Sequence, residues 1–155
     1  MLVLKPATSQ WKILDRAPTV AEFLVLVDAV GWTRYTNRQS VKQALDNSLF
    51  CVVAILRKEV IGTGRLGGDG ARFIYVQDLM VAPAHQRQGV GTALLDRLMH
   101  YINQRAAPKT YVHLFTDRTT APFYARYGFR GPKESFYGMS VKKFGRQLNR
   151  NRAGK

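Results

Sequence analysis

Six residues of this chain, Gln86-Arg87-Gln88-Gly89-Val90-Gly91, could hold an anion. They follow an apolar, β-rich run from Phe73 to Val81, and near Gly89 they lead into a segment whose apolar residues recur at helical spacing. A strand, a turn rich in Gln, Arg and Gly, and a helix start bring unpartnered first-turn N–H groups to the positive end of a helix dipole. Glycines at 89 and 91 let a ligand approach the main chain closely. Phosphate or pyrophosphate suits such a place. The spacing excludes the commoner phosphate motifs: there is no Gly-x-x-x-x-Gly-Lys-Ser/Thr, and no Gly-x-Gly-x-x-Gly directly after a strand. Taken alone, Gly89-Val90-Gly91 favours a plain strand–helix turn.

A second motif lies downstream: Asp117-Arg118-Thr119-Thr120-Ala121-Pro122-Phe123-Tyr124-Ala125-Arg126-Tyr127-Gly128-Phe129. The first motif resembles the Gln/Arg-x-x-Gly-x-Gly/Ala signature of the GNAT acetyltransferase superfamily. The second resembles that family's Asn-x-x-Ala-x-x-Phe/Leu-Tyr-x-x-x-Gly-Phe, with Asp117 in place of Asn. The two occur in the family's order, and the resemblance is clearest from about Leu49 to Phe129.

The resemblance implies acetyl-CoA (coenzyme A) as co-substrate and an N-acetyltransferase that moves an acetyl group directly to a primary amine. It implies that the main-chain N–H groups of Gln88, Gly89, Val90, Gly91 and Thr92 hold the pyrophosphate, with Gln86 and Arg87 beside them. It places a main-chain oxyanion donor at Met80 or Val81, whose side chains read as core strand residues. Asp117 and Phe123 fall among its cofactor-contacting positions. Tyr124 stands where the family often has a general acid for the departing thiolate, and a phenol suits that task. The family's acidic base aligns best with Tyr75, which is not acidic. Asp78 is the acid of this strand, and it reads equally as a catalytic base or a structural acceptor. Strict alternation puts Tyr75, Gln77 and Val81 on one face of the strand and Asp78 on the other. Because the first two helices border the acceptor site in this family, Trp32, Tyr35 and Phe50 could line that site, or be core and rim packing.

The chain has 155 residues, 46% of them hydrophobic, and a formal charge of +14. That length suits one domain with a real core. Lys142, Lys143, Arg146, Arg150, Arg152 and Lys155 follow Val141 with no acid among them. A basic chain suits an anionic co-substrate, and nucleic acid too. Phe144 is the only aromatic after Val141, so a nucleic-acid interface ranks low. A non-catalytic acyl-CoA-binding module is the other alternative. The acceptor, a small-molecule or protein amine, is not legible; basic polymers rank lower against a basic chain. Dimerisation is common in the family, and no homodimer interface is visible.

The single cysteine, Cys51, lies in an apolar run and reads as a small buried hydrophobe. His85 and His100 read as surface residues, while His113 could face the acceptor site or the outer helix. No two histidines have metal-ligand spacing, so no metal is expected. No signal peptide and no run of ~20 apolar residues appear, and a cytoplasmic location without membrane attachment is the default expectation.

The elements that would position these residues are as follows. Leu2 to Leu4 is a short strand, Val20 to Val30 a helix stopped by Gly31, and Arg38 to Asn47 a second helix. Leu49 to Arg57, Glu59 to Leu66 and Arg72 to Val81 form an antiparallel meander. Val90, Leu94, Leu98 and Ile102 make the stripe of a crossover helix, so Thr110 to Phe115 lies parallel to the strand ending at Val81. A short helix from Thr119 to Tyr127 and a strand from Phe136 to Val141 follow. The fold class is α/β with a mixed (α+β) sheet, and the resemblance implies a single GNAT-type domain whose central parallel strands splay apart. Residues 1–144 form that domain and 145–155 a basic tail.

Overall fold

The computed structural model describes residues 11–32 and 37–131. The expected strands at Leu2–Leu4 and Phe136–Val141, the residue Tyr35 and the basic tail lie outside the described residues. The chain divides into two compact units, residues 1–115 and 116–155.

The first unit is a five-stranded mixed sheet in the order β1-β2-β3-β4-β5. Its strands are β1 (Trp11–Leu14), β2 (Phe50–Leu56), β3 (Glu59–Gly68), β4 (Phe73–Val81) and β5 (Tyr111–His113). The first three pairings are antiparallel and β4 with β5 is parallel. The meander and the parallel crossover match the sequence reading; Trp11–Leu14 was not anticipated.

Helix α1 (Val20–Ala29) starts at a reciprocal cap. Thr19 Oγ1 accepts from the Glu22 N–H at 3.2 Å, and Glu22 Oε2 accepts from the Thr19 N–H at 2.7 Å. Arg16 donates to both Glu22 carboxylate oxygens, and this holds Glu22 below the usual carboxylate range. Helix α2 (Arg38–Asp46) is capped by Asn37 Oδ1, which accepts from the N–H groups of Gln39 and Ser40. Both helices bury Phe23, Leu26, Val27, Val41 and Leu45 in one cluster with Met80 of β4.

Helix α3 (Val90–Arg105) covers the opposite face. Its buried residues are Val90, Leu94, Leu95, Leu98 and Ile102, each contributing roughly 1.5–3 kcal/mol by leaving water. Two glycines of β3 let it approach. A Cβ at Gly62 would stand 2.9 Å from the Met80 carbonyl oxygen and 3.1 Å from Leu94 Cδ1. At Gly64 it would stand 3.0 Å from Leu98 Cδ1. On the same face Phe50 stacks on Tyr101 with ring centroids 4.3 Å apart. Phe50 therefore packs under α3, on the far face from the first two helices that were expected to border the acceptor site with it.

The second unit contains α4 (Ala121–Ala125). It is shorter than the sequence suggested, and the chain after it turns at Gly128, φ +88°.

Because the obstacle at Gly62 is a backbone oxygen, Gly62→Ala is expected to destabilise by about 1–3 kcal/mol. Gly67→Ala meets only side-chain ends, Gln77 Oε1 at 3.2 Å and Arg65 Nη1 at 3.7 Å, and should cost less. The urea unfolding midpoints of the two variants check this order.

Candidate active site

Between β4 and α3 the chain makes the strand, turn and helix start that its sequence suggests. After Val81 the chain makes one 3-10 turn at Pro83–His85, then an exposed loop, Gln86 to Gly89, and enters α3. Arg87 (φ +58°) and Gly89 (φ +82°) both take left-handed backbone. Gly89 is the N-cap of α3, so no side chain caps the helix start. The Ala93 N–H donates to the Gly89 carbonyl at 3.0 Å, and the N–H groups of Val90 and Gly91 lie ahead of that ladder at the helix start.

Both loop glutamines use their side chains to hold the loop. Gln86 Nε2 donates to the Val81 carbonyl at 2.9 Å, and Gln88 Nε2 donates to the Ala84 carbonyl at 3.1 Å. The main chain is thereby fixed before any ligand arrives. Left-handed residues next to ordinary ones turn successive N–H groups toward one concavity, which is how a backbone binds phosphate.

Strand β4 carries a bulge. Leu66 stands opposite Val76 and Arg65 opposite Gln77, but Thr63 stands opposite Met80 and Gly62 opposite Val81. One extra residue therefore lies on β4, with Asp78 and Leu79 together facing Gly64, and Asp78 takes φ +50°. The bulge overturns the expected alternation. Leu79 approaches Gly64 on the α3 face, and Val81 lies near Gly91 on that same face. Asp78 joins Tyr75 and Gln77 on the other face. There its Oδ2 accepts from Arg65 Nε at 2.5 Å, with the two side chains only 9% and 16% exposed. Arg65 Nη1 also donates to Ser48 Oγ at 3.4 Å. Sequence reading missed Arg65; its signal was the alternation of Thr63 and Arg65 against Gly62 and Gly64. Cys51 shares this face by register with Arg65, and burial pushes its thiol up.

Pairing between β4 and β5 covers Phe73 with Tyr111, Ile74 with Val112, and Tyr75 with His113, and stops there. Among the described residues, nothing pairs with that edge of β4 from Val76 to Val81. The Ala82 N–H donates to the Ile61 carbonyl of β3, so by alternation the Val81 N–H is directed to this open edge. Met80 differs: its side chain is buried with α1 and α2, and its carbonyl lies toward β3.

A family profile described as an acetyltransferase (GNAT) domain matches residues 46–131. The chain belongs to the GNAT acetyltransferase family. It is similar to a histone acetyltransferase, TAP1, of Glycine max: 32% identity over 77% of this chain and 55% of that protein. The chain spans about half the length of that curated relative and about a third of two other plant relatives. Among solved structures, a probable acetyltransferase of unknown function from methicillin-resistant Staphylococcus aureus superimposes with a TM-score of 0.80 at 27% identity. That match covers 86% of this chain and 99% of the other. An acetyltransferase of the GNAT family from Streptococcus pneumoniae matches with a TM-score of 0.71 and 29% identity, over 88% and 99% of the two chains.

The second GNAT motif lies in the other compact unit. Tyr124 is buried there, edge-on to Phe123 at 5.1 Å and to Phe129 at 6.2 Å. Burial, and then the charge of Asp117, push its phenol up, so it keeps its proton through neutral pH. The Asp117 carboxylate is engaged locally: Oδ1 accepts from the Thr120 N–H at 2.7 Å, which holds the acid below its usual range. Arg126 lies over the Phe123 ring at 5.1 Å.

Asn tolerates left-handed backbone as Asp does, so Asp78→Asn removes the charge without straining the bulge. It leaves Arg65 buried without its counter-ion, and the expected loss is about 1–3 kcal/mol. Adding Arg65→Met should restore much of it, since replacing both partners of a buried pair is often neutral. Thermal melts of the single and double variants measure both effects.

Proposed function

We propose that this chain is an acetyl-CoA-dependent N-acetyltransferase that moves the acetyl group to a primary amine by direct transfer. The observation that carries the reading is the exposed loop between β4 and α3, whose left-handed, side-chain-free N-cap leaves the helix start open to an anion. Membership of the GNAT family supports the same reading.

In this reading the main chain from Gln88 to Thr92 holds the pyrophosphate, and Arg87, exposed at the loop, adds positive charge. The open edge of β4 offers backbone partners to the amides of the pantetheine arm. The Val81 N–H, at the loop end of that edge, is one such partner. The amine must lose a proton before it attacks. Tyr124, protonated at neutral pH, returns a proton to the departing sulfur. Positioning supplies most of the acceleration, because both reactants are held rather than met by diffusion. The acceptor is a small-molecule or protein amine. The name of the Glycine max relative, a histone acetyltransferase, points toward protein amines. The formal charge of +14 weighs against a highly basic acceptor.

Calorimetric titration with acetyl-CoA, and with CoA lacking the 3′-phosphate, tests the co-substrate. A panel of amines scored by free-thiol release then tests transfer. Gly89→Glu introduces a like charge and a side chain at φ +82° and should abolish acetyl-CoA binding; wild-type affinity in that variant removes the loop assignment. Tyr124→Phe should lower kcat at least tenfold, within the usual range for a lost general acid, with little change in acetyl-CoA affinity. Unchanged turnover assigns Tyr124 to packing alone.

A further inference from the structure

We infer that His113, at the last paired rung of β4 and β5, is the group that takes the proton from the acceptor amine. The inference rests on the transferase reading above and names a residue that reading lacks.

Three observations lead to it. First, the acid of β4 is already committed. Asp78 is turned onto the Tyr75 face by the bulge, and there it is held by Arg65 in a pair mostly out of water. Taking a proton from an amine would break that pair and leave Arg65 buried without a counter-ion.

Second, the position of His113 is special in the sheet. Tyr75 and His113 are opposite one another, and beyond them β4 runs to Val81 with no β5 partner. At about 3.3 Å per residue, that open edge is roughly 20 Å long. A pantetheine arm that starts at the Gly89 loop and follows the edge brings its reactive end toward the place where pairing begins. His113 stands at that place.

Third, the imidazole is oriented. Its ring stacks on Tyr75 with centroids 5.6 Å apart and planes 28° apart. Tyr111 lies at 6.0 Å and Phe73 at 6.1 Å. Residues paired in register share a face of the sheet, so His113 lies on the face of Tyr75, Gln77 and Asp78, opposite α3. The titratable rings that touch it include Tyr75 on β4 and Tyr111 on β5. The charged and titratable groups that share its face by register include Asp78 on β4, Arg65 on β3 and Cys51 on β2, with Arg72 over the Phe73 ring at 5.6 Å. The two that carry opposite charge, Arg65 and Asp78, cancel each other. Imidazole is the side chain whose ordinary titration falls between about pH 5 and 8, where a base for this step is needed.

The step balances as follows. An ammonium gives one proton to an imidazole nitrogen of His113 and becomes a neutral amine. Its nitrogen lone pair forms the C–N bond to the thioester carbonyl carbon, and the C–S bond breaks. The sulfur leaves with the bonding pair and takes one proton, the amide nitrogen sheds its second proton, and His113 returns its own to solvent. The net products are an amide, a thiol and one proton.

The test compares the full-length chain with His113→Gln, using acetyl-CoA and the best amine of the panel. In the wild type, kcat/KM should fall at acid pH with a protonation step that H113Q lacks. H113Q should lose on the order of 100-fold or more in kcat at pH 7. Its rate should instead keep rising with pH as the amine deprotonates unaided, and calorimetry should show acetyl-CoA affinity within about twofold of wild type. A second measurement does not need the variant to fold well. In proton NMR of the wild type, the His113 ring signals are distinguished from those of His85 and His100, and they should shift when CoA alone is added. A wild type that binds and transfers, with H113Q keeping its rate and acid limb, overturns the assignment of His113 and leaves the transferase reading standing. So does the absence of any His113 shift under saturating CoA. A wild type that neither binds acetyl-CoA nor releases thiol overturns the transferase reading, and the role of His113 with it.

Discussion

Arg65 and Asp78 meet at 2.5 Å on the sheet face opposite α3, with most of both side chains out of water. Asp78 reaches this partner only because it takes φ +50° and adds one residue to β4. A strand's side chains alternate strictly, so one extra residue reverses the facing of everything after it. Before the bulge, odd-numbered residues of β4 face away from α3; after it, Leu79 and Val81 face toward α3. The reversal lets Met80 enter the α1–α2 cluster while Val81 supports the start of α3 beside Gly91. Buried ion pairs are poor sources of net stability and good devices for fixing one arrangement over its neighbours. Here the arrangement fixed is the register on which both the β4–α3 loop and the open strand edge depend.

The loop at the other end of that edge divides its work between side chain and main chain. Gln86 and Gln88 hydrogen-bond to the Val81 and Ala84 carbonyls. They satisfy acceptors that a tight turn leaves exposed and take their own donors out of competition for a ligand. Gly89 contributes by lacking a side chain where one would sit in left-handed backbone at the helix start. In the proposed reading an anion there meets a main chain already held in place, so little ordering cost remains to be met on binding.

The parts of this architecture written in the sequence are those with a period or a cap. The stripe of α3 was legible because Val90, Leu94, Leu98 and Ile102 recur at helical spacing, and all of them are buried. Helix α1 was legible from Thr19 and Gly31 at its ends. The loop was legible because its residue types and spacing are unusual. The short strand Trp11–Leu14 was not: four residues show only one cycle of alternation, and their pairing to β2 is long-range. The faces of β4 were not legible either, since a bulge changes the phase of a pattern without changing its composition. The partner of Asp78 lay thirteen positions back on another strand, and only the antiparallel register brings the two together. Asp117 read as a departure from a cofactor-contacting Asn; the described structure gives its carboxylate a local partner in the Thr120 N–H.

The electrostatics of the site follow from the same register. With Asp78 neutralised by Arg65, the Tyr75 face presents no unpaired carboxylate among its described residues near the last β4–β5 rung. A surrounding without free negative charge favours the neutral form of an amine held within it, because nothing there stabilises the ammonium. The proposed transfer needs that neutral form. A carboxylate left free on this face would act the other way, holding the ammonium as an ion pair and stabilising the reactant that cannot attack. Committing the strand's acid to Arg65, and leaving a stacked imidazole and phenol at the rung, therefore serves the geometry of the bulge and the proton balance of the proposed transfer with one interaction.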